Sequence, residues 1–292
     1  MANRIRIASD VLSAEIDPLG AELQSLTDRH SREYMSAGDP AFWRGRAPLL
    51  FPIVGRLRDD RYRLNGRAYA MPKHGFARHS TFALVDADPA QARFRLADGP
   101  ATRAAYPFAF TLDATYALDE ATLTMTVEIV NPGDGVLPAS FGFHPAFAWP
   151  LPGGGARADH RIEFARDEVA DLRAITPDGL IAPMSKPSPV VERGIVLDDA
   201  LFGDDALVWT ELASRRLAYG APGHTALDIA FPDMSMLGIW TKPGAAFLCI
   251  EPWAGHADPE KFAGDIRSKP GIFAIEPGSS RRFTMTVTVH PG

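Results

Sequence analysis

The sequence has a single cysteine, Cys249, among 292 residues. One cysteine excludes an intramolecular disulfide framework and any zinc site built from cysteines. No apolar run is long enough to span a membrane, and residues 1–6 lack the apolar core of a signal peptide. From these absences we expect a protein of the reducing cytoplasm with no membrane partner.

The sequence also has no excess of basic residues. Lys and Arg number 30 against 36 Asp and Glu, which gives a net charge of −6. This balance excludes the electrostatic footprint of a nucleic-acid-binding or anionic-membrane-binding protein. We therefore expect neither nucleic acid nor a membrane surface as a partner, and both a monomer and a homodimer are compatible with the sequence.

Long stretches with a helical period are absent, and residues 258–263 suggest at most a short turn of helix. Short alternating segments are present instead, most clearly at residues 122–129 and 283–289, and Asn65-Gly66 is a strong hairpin turn. The 25 glycines and 25 prolines are spread along the chain without a boundary. We predict an all-β fold, a large antiparallel β-sandwich of about twenty strands in a single domain spanning residues 1–292.

The middle of the chain is the least regular part. Residues 150–158 are rich in Gly and Pro, and residues 182–189 are rich in Pro and Ser. Such composition is typical of connecting segments rather than of strands. We therefore predict extended surface loops at both places.

One stretch, residues 247–256, combines a buried-strand pattern with polar chemistry. Four apolar residues precede Glu251, and Pro252 is expected to end the strand there because it has no N–H. Trp253 then offers a flat apolar face that suits a sugar ring. Glu251 is a candidate catalytic base, and the alternative is a solvent-facing Glu at a strand end.

His74 and His144 are further candidates, because each is framed by residues of restricted backbone. An imidazole and a carboxylate that face each other across a pocket can serve as acid and base. The alternative is that each histidine caps its loop. Neither HExxH nor His-x-His occurs, so we predict no metal site. GxSxG is absent, which argues against a Ser-His-Asp triad, and Gly153-Gly154-Gly155 lacks the context of a phosphate loop.

Basic residues concentrate near these histidines in an otherwise acidic chain. They are Arg44, Arg46, Arg56, Lys73 and Arg78. Such a group suits sugar hydroxyls or a sugar phosphate, and surface charges that promote solubility are the competing interpretation. Asp204 and Asp205 follow as acceptors for a polyol, or as residues that only begin the next strand.

Four motifs in order resemble the aldose 1-epimerase (galactose mutarotase) family, and most closely its LacX-like branch. They are Leu50-Phe51-Pro52-Ile53-Val54-Gly55-Arg56, Lys73-His74-Gly75-Phe76-Ala77-Arg78, Phe141-Gly142-Phe143-His144-Pro145-Ala146-Phe147 and Cys249-Ile250-Glu251-Pro252-Trp253. The resemblance runs from about Ile16 to the C-terminus. It implies a galactose mutarotase-like supersandwich and a reaction without metal or cofactor.

The resemblance also implies roles for individual residues. Glu251 corresponds to the base, His144 to the general acid, His74 and Arg56 to substrate-binding residues, and Asp205 or, in the other alignment, Asp204 to a sugar-binding carboxylate. The sequence departs from classical galactose mutarotases at two places. Gly55-Arg56 stands where they carry Asn-Arg, and Pro145 follows His144 where their second His motif lacks a Pro. The His-Gly-Phe-Ala-Arg motif is also shared with hexose-6-phosphate mutarotases, so the resemblance leaves the substrate open.

The predicted function is mutarotation of a free aldohexose, with Trp253 and Arg78 among the residues that shape the substrate site. One alternative is the same chemistry on a hexose 6-phosphate, with Lys73 and Arg78 holding the phosphate. We expect instead that Arg78 pairs with a buried carboxylate and anchors the His74 loop. A non-catalytic sugar-binding module is the alternative of another class, and a paired proton donor and acceptor argues against it.

Overall fold

The computed structural model describes residues 4–291, which form 24 β-strands, one short α-helix and five 3₁₀ helices. The strands are β1 (Ile5–Ala8), β2 (Leu12–Asp17), β3 (Glu22–Asp28), β4 (Leu49–Leu50), β5 (Arg61–Leu64), β6 (Arg67–Ala70), β7 (Ala83–Ala87), β8 (Gln91–Ala97), β9 (Thr111–Asp119), β10 (Thr122–Val130), β11 (Leu137–Ala139), β12 (Phe141–Phe143), β13 (Ala146–Ala148), β14 (Arg161–Phe164), β15 (Leu172–Ile175), β16 (Ile181–Lys186), β17 (Gly194–Val196), β18 (Leu207–Trp209), β19 (Arg216–Gly220), β20 (Ala226–Ala230), β21 (Met236–Trp240), β22 (Phe247–Ala254), β23 (Phe273–Ile275) and β24 (Ser280–His290). The α-helix, α1, is Pro100–Ala105. The 3₁₀ helices are Arg58–Asp60, Ala77–His79, Arg157–Asp159, Asp199–Phe202 and Ile266–Ser268.

The two clearest alternating segments pair with each other in the sheet. They lie in β10 and β24, where Val127 is opposite Phe283 and Leu123 is opposite Val287. The apolar residues are buried on one face while the threonines of β10 are only partly buried on the other. This confirms the prediction of strands with one core face. The Asn65-Gly66 hairpin is also confirmed, since both residues have positive φ between β5 and β6.

Two large antiparallel sheets make up most of the fold. One has nine strands in the order β17-β14-β19-β20-β24-β10-β9-β8-β7. The other runs β18-β21-β22-β12-β4, with β13 also pairing with β22. A three-stranded sheet, β1-β2-β3, and three two-stranded sheets, β5-β6, β11-β23 and β15-β16, complete the set.

The apolar core lies between the two large sheets. Phe141 of β12 stacks on Phe283 of β24 with ring centroids 5.1 Å apart, and Phe164 of β14 meets Trp209 of β18 at 5.9 Å. These contacts join the inner face of one sheet to the inner face of the other. The predicted all-β sandwich is therefore confirmed, and 46% of the residues are in strands against 8% in helices.

Two local predictions were wrong. Residues 182–189 do not form a plain loop, because β16 occupies their first half and pairs with β15. Pro252 does not end its strand either, since β22 continues to Ala254. The neighbouring ladder is interrupted between β12 and β13, where Pro145 lies, so the missing N–H of Pro252 falls at a gap in the pairing. No helix among residues 4–291 is long and apolar enough to cross a membrane.

Candidate active site

A cavity of about 380 Å³ opens on the outer face of the sheet that contains β22. This volume is in the range of small-ligand sites. Seven of the residues singled out in the sequence line it: Lys73, His74, Arg78, His144, Asp205, Glu251 and Trp253. They come from four separate parts of the chain, so the fold assembles them.

Strand β22 positions Glu251 because it is a central strand with two buried faces. Leu248 and Ile250 point into the core between the sheets, and Cys249 lies in a separate apolar cluster on the other face. Since side chains alternate along a strand, Glu251 shares the outer face with Cys249. Neighbouring strands lie on both sides, and only 2% of Glu251 is exposed. The carboxyl group is therefore held rigidly and away from bulk water.

Two glycines make room for the indole of Trp253 on that face. Gly142 pairs with Trp253 from β12, and Gly238 pairs with Glu251 from β21. A Cβ at Gly142 or at Gly238 would lie 2.4 or 2.5 Å from indole atoms. The indole therefore lies close over both backbones and forms an apolar wall beside Glu251.

His144 and Glu251 form a close buried pair. Ala146 pairs with Cys249 and Gly142 pairs with Trp253, so His144 is opposite Glu251 in the same register. The distance from His144 Nε2 to Glu251 Oε2 is 3.1 Å. Trp43 covers the imidazole with ring centroids 4.9 Å apart. His144 Nδ1 is buried and has no hydrogen-bond partner in residues 4–291.

His74 is held by a strained loop. Its φ is +68°, in the left-handed region, and Gly75 follows at +73°. The backbone N–H of Gly55 donates to His74 Nδ1 at 3.1 Å. Because Nδ1 accepts this hydrogen bond, the neutral ring carries its proton on Nε2, which is then available as a donor.

Lys73 and Arg78 add positive charge to the cavity. Both line it, and neither has an ion pair within 4.0 Å in the described part of the chain. Burial lowers the pKa of Arg78, while Glu22 and Glu251 raise it from a distance. The prediction that Arg78 anchors its loop by pairing with a buried carboxylate is therefore wrong.

Of the two acidic candidates, Asp204 and Asp205, only one lies at the cavity. Asp205 lines the cavity, whereas the carboxylate of Asp204 pairs with Lys186 at 2.8 Å outside it.

Arg56 does not line the cavity, because its guanidinium pairs with both carboxylate oxygens of Asp60 at 2.8 Å. The structure thus does not bring Arg56 to the predicted substrate site.

A comparison with protein-family models shows to which family the chain belongs. The model of the aldose 1-epimerase family matches residues 3–271. The chain belongs to the aldose 1-epimerase family. This confirms the resemblance found in the four sequence motifs.

Individual proteins that are similar to this chain are consistent with its place in the epimerase family. The chromosomal LacX protein of Lactococcus lactis is 27% identical over 98% of this chain and 99% of its own length. The X-ray structure of a galactose mutarotase related enzyme from Lactobacillus acidophilus superposes with a TM-score of 0.91 at 30% identity, covering 99% of this chain and 97% of that one. A galactose mutarotase-like protein from Lactobacillus casei also reaches 0.91, at 27% identity, over 99% and 100% of the two chains.

Burial sets the protonation of the candidate acid–base pair. It raises the pKa of Glu251 from 4.5 to about 8, with a further contribution from Asp205. It lowers the pKa of His144 to about 3, helped by the positive charge of Arg78. The pKa of His74 also falls well below its usual value because of burial and the nearby His144. At neutral pH the unliganded pair therefore holds one proton, on the carboxyl side, whereas ordinary pKa values would leave the carboxyl group ionised and the imidazole mostly neutral.

One group in the described residues has the spacing of a metal site. Ligand atoms of His144, Cys249 and Glu251 lie within 4.8 Å of one another. Burial raises the pKa of the Cys249 thiol well above its usual value, which keeps it protonated and a poor metal ligand. His144 Nε2 and Glu251 Oε2 already face each other at 3.1 Å, so the arrangement favours proton exchange.

Sequence reasoning missed three residues of this epimerase-family site. Trp43 and Trp240 line the cavity beside His144, and their rings meet edge to face at 5.6 Å. His256 lines it from the segment after β22. Nothing in the local pattern around Trp43 signals a site, whereas Trp240 ends the predicted strand β21 and His256 follows the end of β22 by two residues.

The raised pKa of Glu251 predicts a pH-dependent cost to stability. Between about pH 4.5 and pH 8 the folded state keeps a proton that the unfolded state has released, so stability falls as pH rises through this window. Glu251→Gln removes that dependence. We expect its melting temperature to exceed that of the wild type by a margin that grows from pH 5 to pH 8.

Scanning calorimetry at several pH values measures this margin. Glu163→Gln, on an exposed position of β14, is the matched control and should track the wild type. A constant difference between Glu251→Gln and the wild type across the window would show that the carboxyl group is not held protonated by the fold.

Proposed function

We propose that the protein is an aldose 1-epimerase that interconverts the α and β anomers of a free aldohexose. The observation that carries this proposal is the buried His144–Glu251 pair, with its 3.1 Å separation, in a cavity of sugar size. The Trp253 indole supplies an apolar face for a pyranose ring next to that pair. Membership of the aldose 1-epimerase family supports the same reaction class.

The pair matches the proton transfers of ring opening. Glu251 as a carboxylate takes the proton of the C1 hydroxyl, and protonated His144 gives a proton to the ring oxygen. The C1–O5 bond breaks, and its electrons stay on O5 as C1 becomes an aldehyde. Afterwards Glu251 is protonated and His144 is neutral, so the pair still holds one proton.

Ring closure reverses these transfers. The aldehyde turns about the C1–C2 bond and presents its other face to O5. His144 takes the proton of the O5 hydroxyl, and protonated Glu251 returns a proton to the carbonyl oxygen. The form favoured by burial, with a neutral imidazole and a protonated carboxyl, is the form required beside the open chain, so the low-dielectric site favours the intermediate.

The remaining cavity residues suit the binding of a polyol. His74 presents Nε2–H as a donor, and Asp205 lies at the mouth as an acceptor. Trp43 and Trp240 close the side next to His144 and limit water there. We assign His74, Asp205 and Trp253 to substrate binding, and we assign no such role to Arg56.

Glu251→Gln tests the proposed base. Gln keeps the size and hydrogen-bonding reach of the side chain but cannot accept the proton. We expect the catalysed rate to fall by about 10²–10⁴ with the fold intact, as followed by polarimetry of freshly dissolved α-anomers. Glu163→Gln should retain full activity, and near-full activity in folded Glu251→Gln would sink the assignment. A wild type that binds aldoses without accelerating mutarotation would favour the sugar-binding module.

The shared proton predicts the pH profile. The pair keeps a single proton until Glu251 ionises at about pH 8, and it gains a second only near pH 3. We expect kcat/KM, corrected for spontaneous mutarotation, to stay level through neutral pH and to fall above about pH 8. A fall centred near pH 6.5, the ordinary value for histidine, would contradict the pair as described.

A hexose 6-phosphate is the second candidate substrate. The observation that favours it is the absence of an ion pair for Lys73 and Arg78 in the described residues, although both line the cavity. A partly buried guanidinium without a counter-ion gains charge-assisted hydrogen bonds from a phosphate. Such bonds are worth about 1.5–3 kcal/mol each.

Arg78→Met measures that contribution. We expect the variant to lose at least about tenfold more in kcat/KM with glucose 6-phosphate than with glucose, and the difference to shrink with added salt. Arg61→Met, on an exposed position of β5, is the control for loss of one positive charge. Equal losses on both sugars would leave Arg78 without a phosphate role, and a wild-type preference for glucose or galactose would retain the free aldose as substrate.

A further inference from the structure

His256 has one ring nitrogen committed and one free. The side chain lines the cavity and is 8% exposed. Its Nδ1 lies 2.7 Å from the backbone carbonyl of Ala257. A carbonyl oxygen only accepts, so Nδ1 carries the proton and Nε2 keeps its lone pair. Nε2 has no hydrogen-bond partner in residues 4–291 and is not among the fully buried polar atoms that lack one, so it keeps some accessible surface on a side chain that lines the cavity.

The ring stays neutral in this environment. Burial lowers the pKa of His256 to about 4, and the positive charges of Lys269 and Arg173 act in the same direction. At neutral pH Nε2 is therefore an acceptor and not a donor. The Ala257 carbonyl accepts the Nδ1–H of His256 and so leaves Nε2 as the acceptor, without help from a carboxylate.

A buried lysine holds the backbone of His256. Lys269 Nζ donates to the His256 carbonyl at 2.5 Å and to the Pro270 carbonyl at 3.2 Å. Asp258 lies 3.8 Å from the same ammonium group and accepts the backbone N–H of Arg58 at 2.9 Å. Because these partners come from different segments, the position of His256 is fixed independently of any ligand.

The edge of the ring is confined as well. Gly271 has a φ of +81°, and a Cβ there would lie 3.0 Å from Cδ2 of His256. The imidazole therefore lies directly against this backbone. Little freedom remains for the ring to turn and exchange its two nitrogens.

Gly55 connects His256 with His74. Its N–H donates to His74 Nδ1, and a Cβ on it would lie 2.6 Å from Ala257. The two histidines are thus anchored to backbone groups that touch each other. They present opposite polarities to the cavity, since His74 offers Nε2–H and His256 offers the Nε2 lone pair.

We propose that His256 is a specificity-determining residue whose Nε2 accepts a hydrogen bond from one hydroxyl of the sugar. This inference depends on the proposed action of the enzyme on an aldose. The substrate must then carry a hydroxyl with a hydrogen to donate at one particular carbon. An analogue with fluorine there keeps an acceptor but has no donor, and it leaves the Nε2 lone pair unsatisfied.

A set of fluorinated sugars tests the inference. Mutarotation kinetics and titration of binding are measured for glucose, galactose and their 2-, 3-, 4- and 6-deoxyfluoro analogues, with wild type, His256→Leu and His256→Gln. We expect the wild type to bind one analogue about tenfold more weakly than its parent sugar. In His256→Leu this discrimination at that carbon should disappear, while discrimination at the other carbons should remain.

His256→Gln and a control variant distinguish a role of His256 in specificity from a role in stabilising the fold. His256→Gln keeps an acceptor oxygen near the position of Nε2 and should restore part of the discrimination. His30→Ala, at an exposed histidine, should behave as the wild type. Equal discrimination in wild type and His256→Leu would overturn the inference about His256. If the parent sugars are still mutarotated in that experiment, the proposed function stands. Binding with the expected discrimination but without turnover would overturn the function alone, and no binding of any aldose would overturn both.

Discussion

The removal of a carboxyl group and an imidazole from water is the constraint on which the site depends. Each group in isolation prefers its neutral form when buried, and His144 and Glu251 are buried within 3.1 Å of each other. At neutral pH they hold one proton between them, on the carboxyl side. The raised pKa of Glu251 makes this arrangement a cost to folding that the surrounding sheets must offset.

The sheet brings the pair together by cross-strand register. Glu251 and His144 lie opposite each other where the ladder beside β22 is interrupted, and Pro145 and Pro252 occupy that interruption. The Pro145 carbonyl still accepts the N–H of Ile250 at 3.1 Å. An interruption of a few residues thus places the His144 imidazole in a central sheet, and the N–H of Ile250 still has a hydrogen-bond partner.

Backbone groups also set the polarity of the other two histidines in the cavity. A peptide N–H defines the tautomer of His74, and a peptide carbonyl defines that of His256. Peptide groups do not titrate, so these tautomers do not depend on the protonation state of the central pair. The positive charges of Lys73 and Arg78 act on this network from within the cavity, because both lower the pKa values of His74, His144 and Glu251.

The sequence by itself determined the fold class, most strand positions and the four motifs, because alternation and turn chemistry are local properties that single segments carry. It also identified His144 and Glu251 as candidates. Only the tertiary structure decided that Asp60 draws Arg56 away, that Arg78 has no ion pair in the described residues, and that His256 joins the cavity. The protonation of the central pair was likewise beyond the sequence. These outcomes depend on burial and on partners distant along the chain, which local patterns do not encode.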